Sequence, residues 1–247
     1  MKIMRFMSIN LWDLATLSEG SEASGYESEN TQHIWIDKKW RSSGNSDWIA
    51  GDFGAQYGID AIVIDGHNIT SGLTTFKVQG SNDDFVSTPL DENFTFNADI
   101  IMHFFGSTQT YQYIKILAND ANLSYIQFSR IYVGSFINLS KNPDSGFNRP
   151  STDLSLTGIN ASNNHFSRSN NRQKSFRYGY GGITAADKVN LNTIWDEVRG
   201  VKPFYICQDP DSRHDTTFYV QFSNKLEFEH IIRDSRYNTE LDMIEAK

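Results

Sequence analysis

The sequence predicts a mainly β protein, folded as a sandwich or barrel. Residues 75–80 and 113–117 alternate apolar with polar side chains, which is typical of strands with one buried face. A short apolar run, residues 59–65, is closed by Gly66. Such segments return at short intervals with Gly, Asn and Asp between them, which favours antiparallel sheets.

Two domains are predicted within the 247 residues. Residues 140–173 are rich in Asn, Ser and Asp and include Pro143 and Pro150, which indicates a linker with edge strands. We therefore place a β-sandwich at residues 1–135 and a small β-barrel or α+β domain with one helix at residues 136–247.

That helix is predicted at residues 184–199. Thr184 and Asp187 have the spacing of a capping box, Gly200 is suited to the position after the helix, and Pro203 prevents its continuation. The apolar stripe consists of Leu191, Ile194, Trp195 and Val198.

Charge and cysteine content exclude several classes of protein. The net charge of -8 disfavours a general phosphate-backbone binder, and Cys207 as the single cysteine excludes an internal disulfide and a multi-cysteine zinc site. The sequence contains no secretory pattern at its start and no long apolar run. We expect synthesis in a cytoplasm and no membrane insertion.

The N-terminal half resembles the discoidin (coagulation-factor C-type) family, and Phe53 stands where that family usually has Leu. This resemblance implies a jelly-roll sandwich of eight core strands over residues 1–135. The matching motifs are Trp40-Arg-Ser-Ser, Asp47-Trp-Ile-Ala-Gly-Asp-Phe-Gly54, Phe76-Lys-Val-Gln-Gly-Ser-Asn-Asp-Asp-Phe85, Tyr113-Ile-Lys-Ile and Ile131-Tyr-Val-Gly134.

The C-terminal half is similar to distal and minor tail proteins of long-tailed bacteriophages. The resemblance implies a domain that docks into a tail-tip assembly, with tail-tip or tail-tube proteins as partners. It rests on the segments Val133-Gly-Ser-Phe-Ile, Gly200-Val-Lys-Pro-Phe-Tyr-Ile206, Asp209-Pro-Asp and Leu241-Asp-Met-Ile-Glu-Ala.

Discoidin-like domains bind ligands on loops at one end of the sandwich, so the resemblance implies a loop site here. Trp40 and Trp48 occupy positions that the family uses for core and turn packing, whereas Trp35 is a candidate sugar platform. Of Phe104 and Phe105, only one faces the core. The other is either exposed in a binding loop or covered by a neighbouring subunit, and we favour the second alternative. The candidate ligand residues are His33, Trp35, Arg41, His67, Asn68, His103, Phe104 and Tyr111.

A calcium ion is the one cofactor considered. Asp83 and Asp84 are its candidate ligands, because calcium prefers several oxygen ligands. The alternative is a solvated turn after a strand, which needs no metal.

No enzymatic activity is expected. Cys207 with His214 and Asp209 matches a triad only in residue type, and Glu227 with Glu229 is better explained as a polar strand face. No phosphate loop, metal-binding His pair or nucleophile elbow occurs in the sequence.

A basic cluster near residue 170 is interpreted as an assembly or interaction loop. We expect it to contact an acidic neighbouring subunit or solvent rather than nucleic acid. Its members are Arg168, Arg172, Lys174 and Arg177.

The predicted function is structural: a minor or distal tail protein in a phage virion. A homo-oligomeric ring would present the sandwich repeatedly, so that avidity holds a host glycan. The alternative is a free carbohydrate-binding lectin-like module, or an accessory module of a polysaccharide-degrading system.

Overall fold

The computed structural model describes residues 2–144, 151–153, 156–159, 165–168, 172–231 and 235–246, and within them the protein is mainly β, as predicted. The described strands pair antiparallel in every ladder with a known register. Among the described helices, none is long and apolar enough to cross a membrane.

The elements follow in chain order. The first ten strands are β1 (Arg5–Met7), β2 (Thr16–Glu19), β3 (Trp40–Arg41), β4 (Ser46–Asp65), β5 (Leu73–Ser81), β6 (Leu90–Asn93), β7 (Ile100–Asp120), β8 (Gln127–Phe128), β9 (Arg130–Gly134) and β10 (Ile137–Asn138). The later strands are β11 (Ser151–Asp153), β12 (Leu156–Ile159), β13 (His165–Arg168), β14 (Arg172–Ile183), β15 (Phe204–Cys207), β16 (Thr217–Phe222), β17 (Glu229–Ile231) and β18 (Arg236–Glu245). The α-helices are α1 (Ala185–Val198) and α2 (Arg213–Thr216), and short 3-10 turns occupy Leu11–Leu14, Ser28–Gln32 and Pro210–Ser212.

The chain divides into two compact units that exchange short segments. The N-terminal unit consists of Met7–Ile137 and Asp211–Thr217. The C-terminal unit consists of Met1–Phe6, Asn138–Pro210 and Phe218–Lys247. The main division, between Ile137 and Asn138, falls near the boundary predicted at residue 135. The sequence pattern does not indicate that Met1–Phe6 belongs to the C-terminal unit or that Asp211–Thr217 belongs to the N-terminal unit.

The N-terminal unit is an antiparallel β-sandwich. Its large sheet has the order β2-β4-β7-β5-β6, with β9 also pairing with β4, and a separate ladder joins β3 to β8. Strands β4 and β7 pair along most of their length, from Ser46 opposite Asn119 to Asp65 opposite Ile100. Alternate residues such as Ile49, Phe76 and Ile116 fill the core, as period-two alternation requires.

The outer face of this sheet carries the intervening residues. On β7, Ile114, Ile116 and Ala118 are buried, whereas Lys115 and Leu117 between them are partly exposed. The same alternation on β4 buries Ile49 and turns Trp48 outward.

The C-terminal unit combines a sheet with helix α1. The sheet has the order β10-β1-β15-β16-β18-β14-β11, and β17 pairs with β18. The predicted helix forms with the expected capping box: the Thr184 side chain accepts from the Asp187 N–H, and the Asp187 carboxylate accepts from the Thr184 N–H. The short helix α2 falls in the N-terminal unit and has no counterpart among the predicted elements.

Candidate functional site

Loops from three parts of the chain converge at one end of the N-terminal unit, where Asp120 joins them. We call this end of the unit the loop end. Asp120 is fully buried at the end of β7. One carboxylate oxygen accepts from the Thr70 N–H at 2.7 Å and the Thr70 hydroxyl at 2.8 Å, and the other accepts from the Asn122 N–H at 3.0 Å. The Asp120 N–H donates to the Asn45 carbonyl at 3.0 Å. One residue therefore positions three loops.

The same contacts hold Asp120 ionised. Burial alone would raise the pKa of this carboxyl, but the donors from Thr70 and Asn122 outweigh it and keep the pKa below its ordinary value. The loop end consequently depends on a buried charge with satisfied hydrogen bonds.

Arg41 lies at this end with its guanidinium between two tyrosine rings. Its Cζ atom is 4.0 Å from the ring centroid of Tyr26 and 4.1 Å from that of Tyr125. Nη2 donates to the Gln127 side-chain oxygen at 3.0 Å. Both flat faces of the cation are therefore covered, and Nε is buried without a hydrogen-bond partner among the described residues. The Nη1 and Nη2 hydrogens that do not bond to Gln127 form the donor edge that remains.

Asn68 fastens the loop after β4 to the segment that carries Tyr125. Its Nδ2 donates to the Tyr125 carbonyl at 2.9 Å, and its side-chain oxygen accepts from the Gln127 N–H at 2.9 Å. Because both ends of the amide are engaged, Asn68 positions the site, whereas the sequence analysis counted it among the ligand contacts.

Three further candidates lie on neighbouring loops. The ring centroids of His33 and Trp35 are 5.1 Å apart, and Trp35 is 60% exposed. His67 packs edge-on against Phe96. Burial lowers the pKa of His67 to about 4, against the opposing effects of the Asn97 backbone and the Asp99 carboxylate.

The structure places His103, Phe104 and Tyr111 further along β7, with other neighbours. His103 is buried beside Phe105, and its Nε2 lies 3.1 Å from a Glu92 carboxylate oxygen. Burial lowers the pKa of His103, although Glu92 opposes the shift.

Phe104 and Tyr111 are covered from within the chain. Phe105 is the buried member of the phenylalanine pair, and Phe104 contacts the ring of Phe136 edge-on. The expected cover by a neighbouring subunit is therefore not needed to explain Phe104. Tyr111 packs against the core beside Gly80.

The candidate calcium ligands are engaged in a turn. The carboxylate of Asp83 accepts from the Ser87 hydroxyl at 2.7 Å, the Ser87 N–H at 2.9 Å and the Ser81 hydroxyl at 2.7 Å. These bonds, those from Ser87 above all, lower the pKa of Asp83 to about 2. Asp84 has a left-handed backbone, with φ 53°. Across the described residues no group of three or more His, Cys, Asp or Glu could hold a metal ion, and calcium binding stays a prediction.

The basic cluster is partly described, and its described members lie on strand β14 rather than in a loop. Arg168 and Arg172 fall on strand backbone, and their side chains lie outside the described residues. Lys174 pairs with Glu245 at 3.5 Å, and Arg177 pairs with Asp242 at 2.8 Å and Glu240 at 3.1 Å. The loop assignment is wrong for Lys174 and Arg177, because both lie on strand β14, where carboxylates of β18 pair with them.

The residues of the rejected catalytic combinations lie in ordinary structural positions. Cys207 is buried in strand β15, and the Met102 N–H donates to His214 Nδ1 at 3.4 Å. Glu227 and Glu229 are both exposed.

Trp40 and Trp48, both expected at positions of core and turn packing, have different environments. Trp40 is fully buried in the core, with its ring centroid 5.5 Å from that of Phe128. Trp48 is only partly buried on the outer face of the sheet. Trp40 therefore packs in the core, whereas Trp48 lies on the outer face of the sheet, because alternation from the buried Ile49 turns its neighbour outward.

Sequence reasoning missed Tyr26, Tyr125 and Gln127, which complete the surroundings of Arg41. The two tyrosines lie in irregular segments, where no periodicity marks them. Tyr125 comes close because β3 pairs with β8 and sets Arg41 opposite Gln127, and Tyr26 comes close because its carbonyl accepts from the Arg41 N–H at 3.1 Å.

Comparisons with known proteins found similarity only among solved structures. No family model matches the chain, and no curated protein matches it. A chitosan-binding module of a chitosanase/glucanase from Paenibacillus sp. IK-5 is 17% identical, covers 51% of this chain and 99% of its own, and has a TM-score of 0.42. The family 32 carbohydrate-binding module of C. perfringens NanJ, in complex with galactose, is 14% identical, covers 53% and 98%, and has a TM-score of 0.43. A fucose-binding module of Streptococcus pneumoniae is 12% identical, covers 51% and 95%, and also has a TM-score of 0.43.

Proposed function

We propose that the N-terminal unit binds carbohydrate at its loop end, around Arg41. The observation that carries the proposal is the guanidinium fixed between Tyr26 and Tyr125, 4.0 and 4.1 Å from their ring centroids. A planar donor edge between two tyrosine rings suits neighbouring sugar hydroxyls, which accept hydrogen bonds from the cation. The apolar face of the sugar ring would then contact the tyrosine side chains.

The surroundings favour a neutral sugar over an acidic one. Glu27 accepts from the Gly25 N–H beside Tyr26, and Glu22 accepts from the Ser28 N–H in the same segment. These carboxylates and the net charge of -8 repel an anionic ligand.

The test is a glycan array with the full chain, followed by calorimetric titration of any bound neutral glycan. We expect Arg41→Lys to keep the charge but to weaken binding by about tenfold or more, because the planar donor edge is lost. Lys38→Ala is the matched control, since Lys38 is an exposed cation three residues away and should bind as the original chain does.

Two results would oppose the proposal. One is an array on which no neutral glycan binds, and the other is a glycan whose affinity is the same for Arg41→Lys and Lys38→Ala. Circular dichroism of both variants would verify that they are folded.

The tail-tip role is a second proposal, supported by the sequence resemblance of the C-terminal half alone. It assigns the chain to a phage virion, in a ring with other tail proteins. The Arg41 site is built wholly from Met7–Ile137, so it equally suits the alternative of a free module or an enzyme accessory module. In each case the chain acts by binding, without catalysis. Electron microscopy of the native assembly would show a ring at the tail end, and a lone soluble species would refute the tail role.

A further inference from the structure

The outer face of the large sheet holds a cavity of about 500 Å³ beside Trp48. Its volume falls in the range of small-molecule sites. The partly exposed indole of Trp48 provides an apolar, aromatic wall for this cavity. The cavity and the indole together are features that the Arg41 site does not explain.

Two sets of cross-strand neighbours on the outer face of the sheet give the cavity an apolar part and a polar part. In the first set, Trp48 lies opposite Leu117. In the second set, two residues along each strand on the same face, Ser46 lies opposite Asn119 on β7, and Asn119 lies opposite Thr75 on β5. All five residues line the cavity, so a hydroxyl, an amide and a second hydroxyl lie in a row beside an aromatic and aliphatic surface.

A carboxylate is fixed at the cavity wall. Asp47 accepts from the Ser21 hydroxyl and, at 2.8 Å, from the Trp48 N–H. Gly20 packs against this wall, where an added Cβ atom would fall on the Asp47 carboxylate and lie 2.9 Å from Trp48 Nε1. A larger residue at position 20 would therefore have to displace the end of the Asp47 side chain.

Lys115 on β7 also contacts the indole. Its ammonium lies 4.8 Å from the ring centroid of Trp48 and 3.8 Å from that of Phe85. This cation–π contact restrains the indole from the side of β7. The aromatic surface is therefore held in place by contacts within the chain.

We propose that this cavity is a second saccharide site, which binds a neutral pyranose on Trp48 and Leu117. The apolar face of the sugar ring would stack on the indole, and its hydroxyls would bond to Asn119, Thr75 and the Asp47 carboxylate. Asp47 disfavours an acidic sugar. The site shares no residue with the Arg41 site and does not depend on it, so one chain would bind a glycan at two points and gain avidity.

The test follows the tryptophan indole and side-chain amide signals of the full chain by two-dimensional NMR. The probes are the methyl glycosides of glucose, galactose, mannose and N-acetylglucosamine, added to about 50 mM so that sites with millimolar Kd are largely filled. Trp48→Phe identifies the Trp48 indole signal. We expect saturable shifts of the Trp48 indole and the Asn119 amide with at least one probe.

Variants separate the two sites. Asn119→Ala combined with Thr75→Ala should weaken the saturation of the Trp48 signal by about tenfold or more. Gln79→Ala, a change on the same outer face of β5 away from the cavity, should leave it unchanged, as should Arg41→Lys.

Each outcome bears on one site. If no probe shifts the Trp48 and Asn119 signals, the second site is refuted, whatever the glycan array shows for Arg41. If the Trp48 shifts disappear in Arg41→Lys, the site is not independent and the proposal is also refuted. Shifts at Trp48 with an empty glycan array would support the second site and count against the Arg41 site.

Discussion

Replacing the buried Asp120 by Asn should loosen the whole loop end, because this carboxylate is its shared acceptor. Its two oxygens accept three hydrogen bonds, from Thr70 and Asn122. An amide has one oxygen and one NH2 group, so at least one of the donors would face a nitrogen that cannot accept.

The magnitude follows from the bonds that are lost. Hydrogen bonds to a charged group contribute about 1.5–3 kcal/mol each, and an unsatisfied buried donor adds a further cost. With one or two bonds lost, we expect the unfolding free energy of the N-terminal unit to fall by about 2–4 kcal/mol.

The pH dependence should change as well. The folded pKa of Asp120 is lowered from 3.8, so its contribution is present above pH 3.8 and is lost as the pH falls through the folded value. Asp120→Asn removes this part of the acid sensitivity.

Hydrogen exchange measured by mass spectrometry is the suitable assay, because it reports on one unit of the chain. A loss of 2–4 kcal/mol corresponds to exchange that is about 30- to 1000-fold faster in peptides covering residues 67–73 and 121–127. Asp91→Asn is the matched control: Asp91 is exposed and pairs with Lys77 at 2.9 Å, a contact expected to contribute less than about 1 kcal/mol. Equal exchange in the two variants would refute the reasoning.

Three other perturbations follow from the same structure. Asp13→Asn should destabilise the N-terminal unit by about 2–4 kcal/mol, since Arg130 is buried and Asp13 binds it through both oxygens at 2.5 and 2.7 Å; an unchanged urea midpoint would contradict this. His67→Gln should lose less stability than the original chain as the pH falls from 6.5 to about 4, because the folded imidazole stays neutral there while the unfolded one gains a proton. An equal fall in melting temperature for both proteins across that range would contradict this. Thr184→Ala should cost the C-terminal unit about 1 kcal/mol by removing the cap of α1, and faster exchange limited to the first turn would be the measured sign.

The sequence pattern was sufficient for elements whose signals are local. Residues 59–65 and 113–117 lie inside strands β4 and β7, and the helix predicted at 184–199 is observed as Ala185–Val198. Period-two alternation and the capping box depend on neighbours within a few residues, so one sequence contains the whole signal.

The site depended on contacts that the sequence pattern does not contain. Arg41 meets Tyr125 only because β3 pairs with β8, and the resemblance that pointed to Arg41 gave no reason to select either tyrosine. The family resemblance indicated core or turn packing for Trp48 and did not show that strand alternation places it on the outer face of the sheet. Phe104 contacts Phe136, which lies just beyond residue 135, the predicted end of the N-terminal domain.

Strand β18 has a consequence for how the chain is made. It follows in sequence every strand that it joins, yet it lies between β16 and β14 and also pairs with β17. During synthesis the C-terminal unit therefore cannot close its sheet until residues 236–245 have left the ribosome. Until then β14 and β16 each expose an edge, and any product truncated before residue 236 would keep those edges open and tend to aggregate.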